Sequence, residues 1–444
     1  MRILITLCLA TALILSSFPS LATAQWGLVG CSTSDSANTF YWDWETGEFV
    51  VSPATPLGVY GNYPYDAVMR PNNSEVWIAG ASGDGVVVMD EFGTILHEIP
   101  TGDYPVSLAF NPRENIALVS CRNSDRLYII DTNTYAVSDS LDIPGTYLGP
   151  GNIIFDPQGD RFFLVEWYDD LLFEIAPDGS AIVDQASIGN NLWQLAIDPN
   201  FGGYLFLTDR GTDQVRVIDP ETLLQVQAID VGDDPWGIDV DDSIVIVCCE
   251  DSHDIYRIDI TDYSVTQMDL APDADPRDVN ITTGFVTVGE KTLLGGAAYI
   301  CGGQTSTGSP LYVVDLYSMD LLDTIIVPGT NTNVVAVEAQ WPLPSSVEDL
   351  PGAATLNVKA APNPFNPRTK ISFDLDDEAP VKLAVFDLAG RMVRLIDAGT
   401  LGSGRRSIEW DGKDRGGRKL ASGSYLVMIQ AGDLLAGTKV VLLQ

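Results

Sequence analysis

Histidine is nearly absent from this chain, with two residues, His97 and His253, in 444. No Cys/His set stands at metal-ligand spacing and no C-x-x-C occurs, which excludes the common structural zinc sites. Basic residues are scarce as well: 24 Lys and Arg face 61 Asp and Glu, a net charge of −37. A chain this acidic does not hold phosphate backbones by counterion release, and it disfavours anionic membrane surfaces. Beyond the first residues no apolar run is long enough to span a bilayer. No G-x-S-x-G, Walker, H-E-x-x-H or dinucleotide fingerprint occurs. What is plentiful is punctuation: 40 Gly and 26 Pro are too many for a helical bundle, and 45% hydrophobic residues are too many for disorder.

The chain divides by composition. Arg2, an apolar run from Ile3 to Leu15 and Ala22-Thr23-Ala24 predict a secretory signal peptide over 1–24, and so a secreted or outer-surface bacterial protein. Residues 25–358 carry 10 basic and 51 acidic residues, whereas 359–444 carry 13 basic and 10 acidic. Two bodies of different surface chemistry are therefore expected, joined by the Pro- and small-residue-rich linker 342–358. Five cysteines follow the signal: Cys31, Cys121, Cys248, Cys249 and Cys301. They read as buried small hydrophobes, with neighbours Cys248 and Cys249 on opposite faces of one strand.

The middle of the chain repeats. Pro71, Pro112, Pro157, Pro199 and Asp242 mark the same register, 41, 45, 42 and 43 residues apart. Each mark is followed by an apolar run (EVWIAG, NIALVS, RFFLVE, YLFLTD, SIVIVC), a polar turn, a third run such as QVRVID, and a weaker alternating fourth. Four short strands per repeat predict a seven-bladed β-propeller over 25–341. Its seventh blade combines GLVGCS and TFYWDWETGEFVV with a returning TNVVAVEAQ strand, and its sixth has an insertion around GEKTLLGG. Segments such as IDPNFGGYLFLTDRGTDQVRVIDPETLL resemble YVTN/YncE-type and NHL-type propeller repeats, a group that includes binding modules, lactonase-like hydrolases and lyases.

Residues 359–444 alternate as short strands between Gly and Asp/Asn turns, which predicts a small Ig-like β-sandwich; with no His or Cys, it has no catalytic apparatus. PNPFNPRTKISFDL (362–375), VFDLAGRMVRLI (385–396) and IEWDGKDRGGRKLASGSYLVMIQAG (408–432) resemble the Ig-like domain of flagellar hook-capping (FlgD-like) proteins. They are also similar to the type A sorting domain of type IX secretion. The resemblance implies a tail serving export or attachment, with the secretion or attachment machinery as partner.

Aligning the blades gives candidate site residues. The second position after the Pro-like mark of each innermost strand holds Asp66, Ser107, Asn152, Gln194, Gly237, Asp278 and Asn333. Asp66, Asn152, Asp278 and Asn333 offer the oxygen ligands that Ca²⁺ requires; a water-filled channel lining needs the same polarity. One residue earlier, Tyr65, Trp193, Trp236 and Arg277 could stack on a sugar or another flat ligand, or wedge neighbouring blades apart. His253, in CCEDSHD, falls on a turn at the same mouth and is the one candidate general base, or simply a solvated turn residue; His97 is expected on an outer strand. The reading that follows is a displayed propeller that binds an extracellular protein, glycan or small ligand. Its alternative is a lactonase-like hydrolase or lyase with a channel metal.

Overall fold

The structure, a computed structural model, describes residues 26–338 and 356–443, except 44–47, 72–74, 146–148, 199–202, 242, 283–284, 289–290, 295, 304–307, 329–331, 388–391, 415–416 and 433. The expected signal peptide and most of the expected linker lie outside the described residues. Among the described residues all named elements are β-strands. Seven antiparallel sheets follow one another, each with its first strand in space at the centre, and two further sheets form the C-terminal body.

Blade 5 shows how residues make the unit. Its strands are Pro235–Asp241, Ile244–Cys249, Asp254–Asp259 and Val265–Asp269. The second strand, IVIVCC, is buried at every residue because both its faces meet a neighbouring blade, which is why it reads as an unbroken apolar run. The fourth, VTQMD, is mostly exposed and correspondingly polar. The core is accordingly seven seams, one apolar cluster per pair of adjacent blades. Cys248 packs into the seam toward blade 6 and Cys249 into the seam toward blade 4, the opposite faces expected of strand neighbours. All five described cysteines are free and buried.

The ring closes with both ends of the repeat region. Thr332–Glu338 lies innermost in the seventh blade and pairs antiparallel with Trp26–Cys31, which pairs with Ser36–Asp43. A strand from the end thus clasps three from the start, so the seventh sheet cannot form until the circle does. The expected insertion in blade 6 is a separate hairpin, Phe285–Val288 with Lys291–Leu294. The C-terminal body is a sandwich of a three-stranded and a four-stranded sheet over a core of Phe365, Phe373, Trp410 and Val427. Tyr425 ties its strand to the preceding turn by donating to the carbonyl of Ala421 (2.8 Å).

Candidate functional site

Each innermost strand is kinked near its start by a register shift, and the polar ring sits at that kink. An innermost strand has no sheet partner on its channel side, so some of its N–H groups need an acceptor from elsewhere. The ring residues supply it from the blade before. Asp66 Oδ2 accepts from Leu108 N (3.0 Å) and the Ser107 hydroxyl (2.7 Å). Ser107 Oγ in turn accepts from Ile153 N (3.2 Å), Asn152 Oδ1 from Leu195 N (3.1 Å) and Gln194 Oε1 from Ile238 N (2.9 Å). Asp278 Oδ2 accepts from Val335 N (2.9 Å). Blade 5 has Gly237 at this place because the next strand passes too close: a Cβ there would lie 2.7 Å from the Arg277 carbonyl. Asp239, two residues on, substitutes by accepting from Ile281 N (2.7 Å).

The ring proposed for a cation is therefore a chain of inter-blade staples. Asp66, Asn152 and Asp278 each spend one oxygen on the next blade, and the side chain of Asn333 lies outside the described residues. Among the described residues no three His, Cys, Asp or Glu side chains converge as metal ligands. Burial with few water contacts holds the carboxyls of Asp66, Asp239 and Asp278 above the usual range, the last two at about 7.

His253 belongs to a different repeat feature. The turn between second and third strands ends on a left-handed residue, Asp84, Asp125, Asp170, Asp213 or His253, with φ from 54° to 58°. These residue types tolerate that region. Asp84, Asp170 and Asp213 accept backbone N–H groups where the next blade begins, from Tyr104, Asn191 and Asp234. His253 takes the same place in blade 5, and its Nδ1 lies 3.0 Å from Asp275 Oδ1. It stands at the expected mouth, but it is not among the residues that line the cavity there. His97 lies on an exposed outer strand and stacks on Tyr135 with 3.7 Å between ring centres.

The four residues proposed for a flat ligand do come together. Tyr65, Trp193, Trp236 and Arg277, with Tyr63, Gln194 and Asp278, line a cavity of about 70 Å³ at the mouth of the channel. The aromatics also wedge blades. Trp193 packs edge-on to Trp236 at 4.6 Å and lies parallel to Trp167 at 4.2 Å, which reaches Tyr65 at 5.9 Å. Trp167 was not anticipated, because it comes from the second-to-third turn of blade 3 and not from the inner strand. The blade's own inner-strand residue is Gly151, where a Cβ would meet the Trp167 indole nitrogen at 2.2 Å. Glycine leaves the place that the turn tryptophan fills.

Guanidinium groups run between the rings. Arg210 lies over Trp193 (4.5 Å) and Trp236 (4.3 Å), Arg277 over Trp236 (5.7 Å), and Arg122 against Tyr104, Trp167 and Tyr168 at 5.1–5.8 Å. Asp234 clamps Arg210 through both oxygens (2.5 and 2.7 Å) and takes the Trp236 indole N–H. Burial would raise the Asp234 carboxyl, but these partners pull it below its ordinary value. Glu250 holds Arg277 at 2.6 Å. The missed residues had a legible sign: Arg122, Trp167, Arg210 and Glu250 all open the same turn in successive blades. Between blades 3 and 4, at the turns joining first to second and third to fourth strands, a hollow of about 290 Å³ is lined by Asp156, Arg161, Tyr204 and Glu221, and its Arg161 is already paired with three carboxylates.

Fold and mouth together define a seven-bladed β-propeller carrying an Ig-like domain. Residues 361–433 match the FlgD Ig-like domain family. The propeller is similar in fold to a putative 6-phosphogluconolactonase from Bacteroides uniformis, with 15% identity over 71% of this chain and 99% of that one and a TM-score of 0.56. A protein from Lactobacillus plantarum is alike to the same degree, with 15% identity over 71% and 100% of the two chains and a TM-score of 0.56. A streptogramin B lyase structure shows 14% identity over 62% of this chain and 86% of that one, with a TM-score of 0.50. No curated protein sequence matches the chain. Among the described residues no helix is long and apolar enough to cross a membrane.

Proposed function

We propose that this protein is an exported binding module, in which the propeller holds an extracellular ligand at the aromatic mouth and the FlgD-like domain serves export or surface attachment. One observation carries the reading: three aromatic rings and a guanidinium from four different blades line one cavity, with Asp278 and Gln194 as polar groups beneath them. That combination of flat apolar faces with a few oriented polar atoms suits a carbohydrate or another flat neutral surface. The cavity is small, so a ligand of several rings would lie across the mouth and not enter the channel.

The test is a glycan array probed with the mature chain, followed by titration of any hit against Trp193→Ala and Trp236→Ala. Loss of about tenfold in affinity for each, roughly 1.4 kcal/mol, with the melting temperature retained, is the expected result. Full affinity in both variants would remove the mouth as the binding site. The rival reading is a hydrolase or lyase with a cation held by Asp66, Asn152, Asp278 and Asn333. It requires three of these residues to leave or share their inter-blade bonds. Metal analysis and melting curves with and without EDTA separate the two: a tightly held ion and a lowered melting point would favour the enzyme.

A further inference from the structure

The three arginines of the mouth are not equivalent. Asp234 grips Arg210 in a two-point clamp, and Glu250 grips Arg277. Arg122 is half-buried between Tyr104, Trp167 and Tyr168, and among the described residues its side chain makes no hydrogen bond or ion pair. Nearby carboxylates are engaged elsewhere: Asp103 accepts from Asn123 and Asp170 from Asn191 and Leu192. Rings cover the faces of the Arg122 guanidinium, while its edges, which carry the N–H donors, are unspent. A half-buried planar fork with free donors fits a carboxylate at two points.

Resting on the mouth reading above, we infer that Arg122 is the anchor for one carboxylate of the ligand, which is therefore an acidic sugar such as a uronic acid. Its ring would lie across the rim formed by Tyr65, Trp193 and Trp236, and its carboxylate would take the Arg122 fork. One carboxylate would meet one guanidinium fork that makes no hydrogen bond or ion pair among the described residues. A phosphate dianion would leave an excess charge beside a segment, 25–358, that already carries 51 acidic residues.

The experiment titrates the mature chain with trigalacturonic acid and with its methyl ester at 0.15 M salt, read by calorimetry and tryptophan fluorescence. The acid should bind about tenfold or more tightly than the ester. Arg122→Gln should bring the acid and ester affinities together, whereas Arg122→Lys, charged but without the fork, should keep part of the preference. Arg126→Gln is the control, because Arg126, four residues on from Arg122, pairs across the strands with Asp142 and should leave the preference intact. Equal affinity for acid and ester, or a preference that survives Arg122→Gln in a protein of unchanged melting temperature, overturns the inference. The mouth reading then stands or falls separately on whether Trp193→Ala weakens ester binding. No binding of either trimer also overturns it.

Discussion

At the scale of single residues, the polar ring around the channel is explained by the free edge of each innermost strand. Asp66 and Asp278 are aligned in the repeat because each must take an N–H from the blade that follows. Removing the acceptor leaves that N–H unsatisfied in a crowded place, so Asp66→Ala and Asp278→Ala should each destabilise the propeller by about 1–3 kcal/mol. Asn at either position keeps an acceptor and should cost less; denaturant melts of the four variants check the order. The same residues set a pH dependence. Asp239 and Asp278 titrate near 7 in the fold, against about 4 in an unfolded chain. Between those values the folded state holds protons the unfolded state has released, so stability falls as pH rises from about 4 to about 7. Thermal melts across pH 4.5–8 should show that decline, and the double variant Asp239→Asn/Asp278→Asn should flatten it.

At the scale of strands and turns, the repeat assigns each element one task. Second strands are mainly apolar because they are buried on both faces, and the turns that follow them in blades 1 to 5 end on Asp or His because the chain there turns left-handed. The closing strand Thr332–Glu338 is the most consequential element, since it completes a sheet begun some 300 residues earlier. A chain ending at residue 331 should lose its cooperative melt, while one ending at 341 should keep it, as circular dichroism would report. Much of this was legible in the sequence: strand count, blade number, the split blade and an insertion in blade 6 all follow from periodicity. The staples were not, because an acceptor such as Gln194 and its donor Ile238 lie 44 residues apart and meet only when blades pack.

At the scale of the whole molecule, charge is the dominant surface property. The net charge of −37 falls almost wholly on the propeller, and self-repulsion of that kind is screened by salt. The melting temperature should therefore rise between 0.02 and 0.5 M NaCl, an effect differential scanning calorimetry can measure, and should rise less in the isolated C-terminal body, where basic and acidic residues nearly balance. The arginines of the mouth then stand out as local exceptions on an acidic surface, two of them neutralised by carboxylates and one not.

Sequence alone determined what depends on local chemistry and spacing. Repeating apolar runs set the strands, a period near 43 set the blades, and alignment at the Pro-like mark put Tyr65, Trp193, Trp236 and Arg277 on one rim. Tertiary structure decided which side chains share a space. Trp167 enters the rim because Gly151 leaves room for it, and Arg122 keeps its donors because no carboxylate among the described residues bonds to them. Asp66 and Asp278 face the next blade because an unpaired N–H waits there. Such pairings join residues far apart in the chain, and only the closing of the ring brings them within bonding distance.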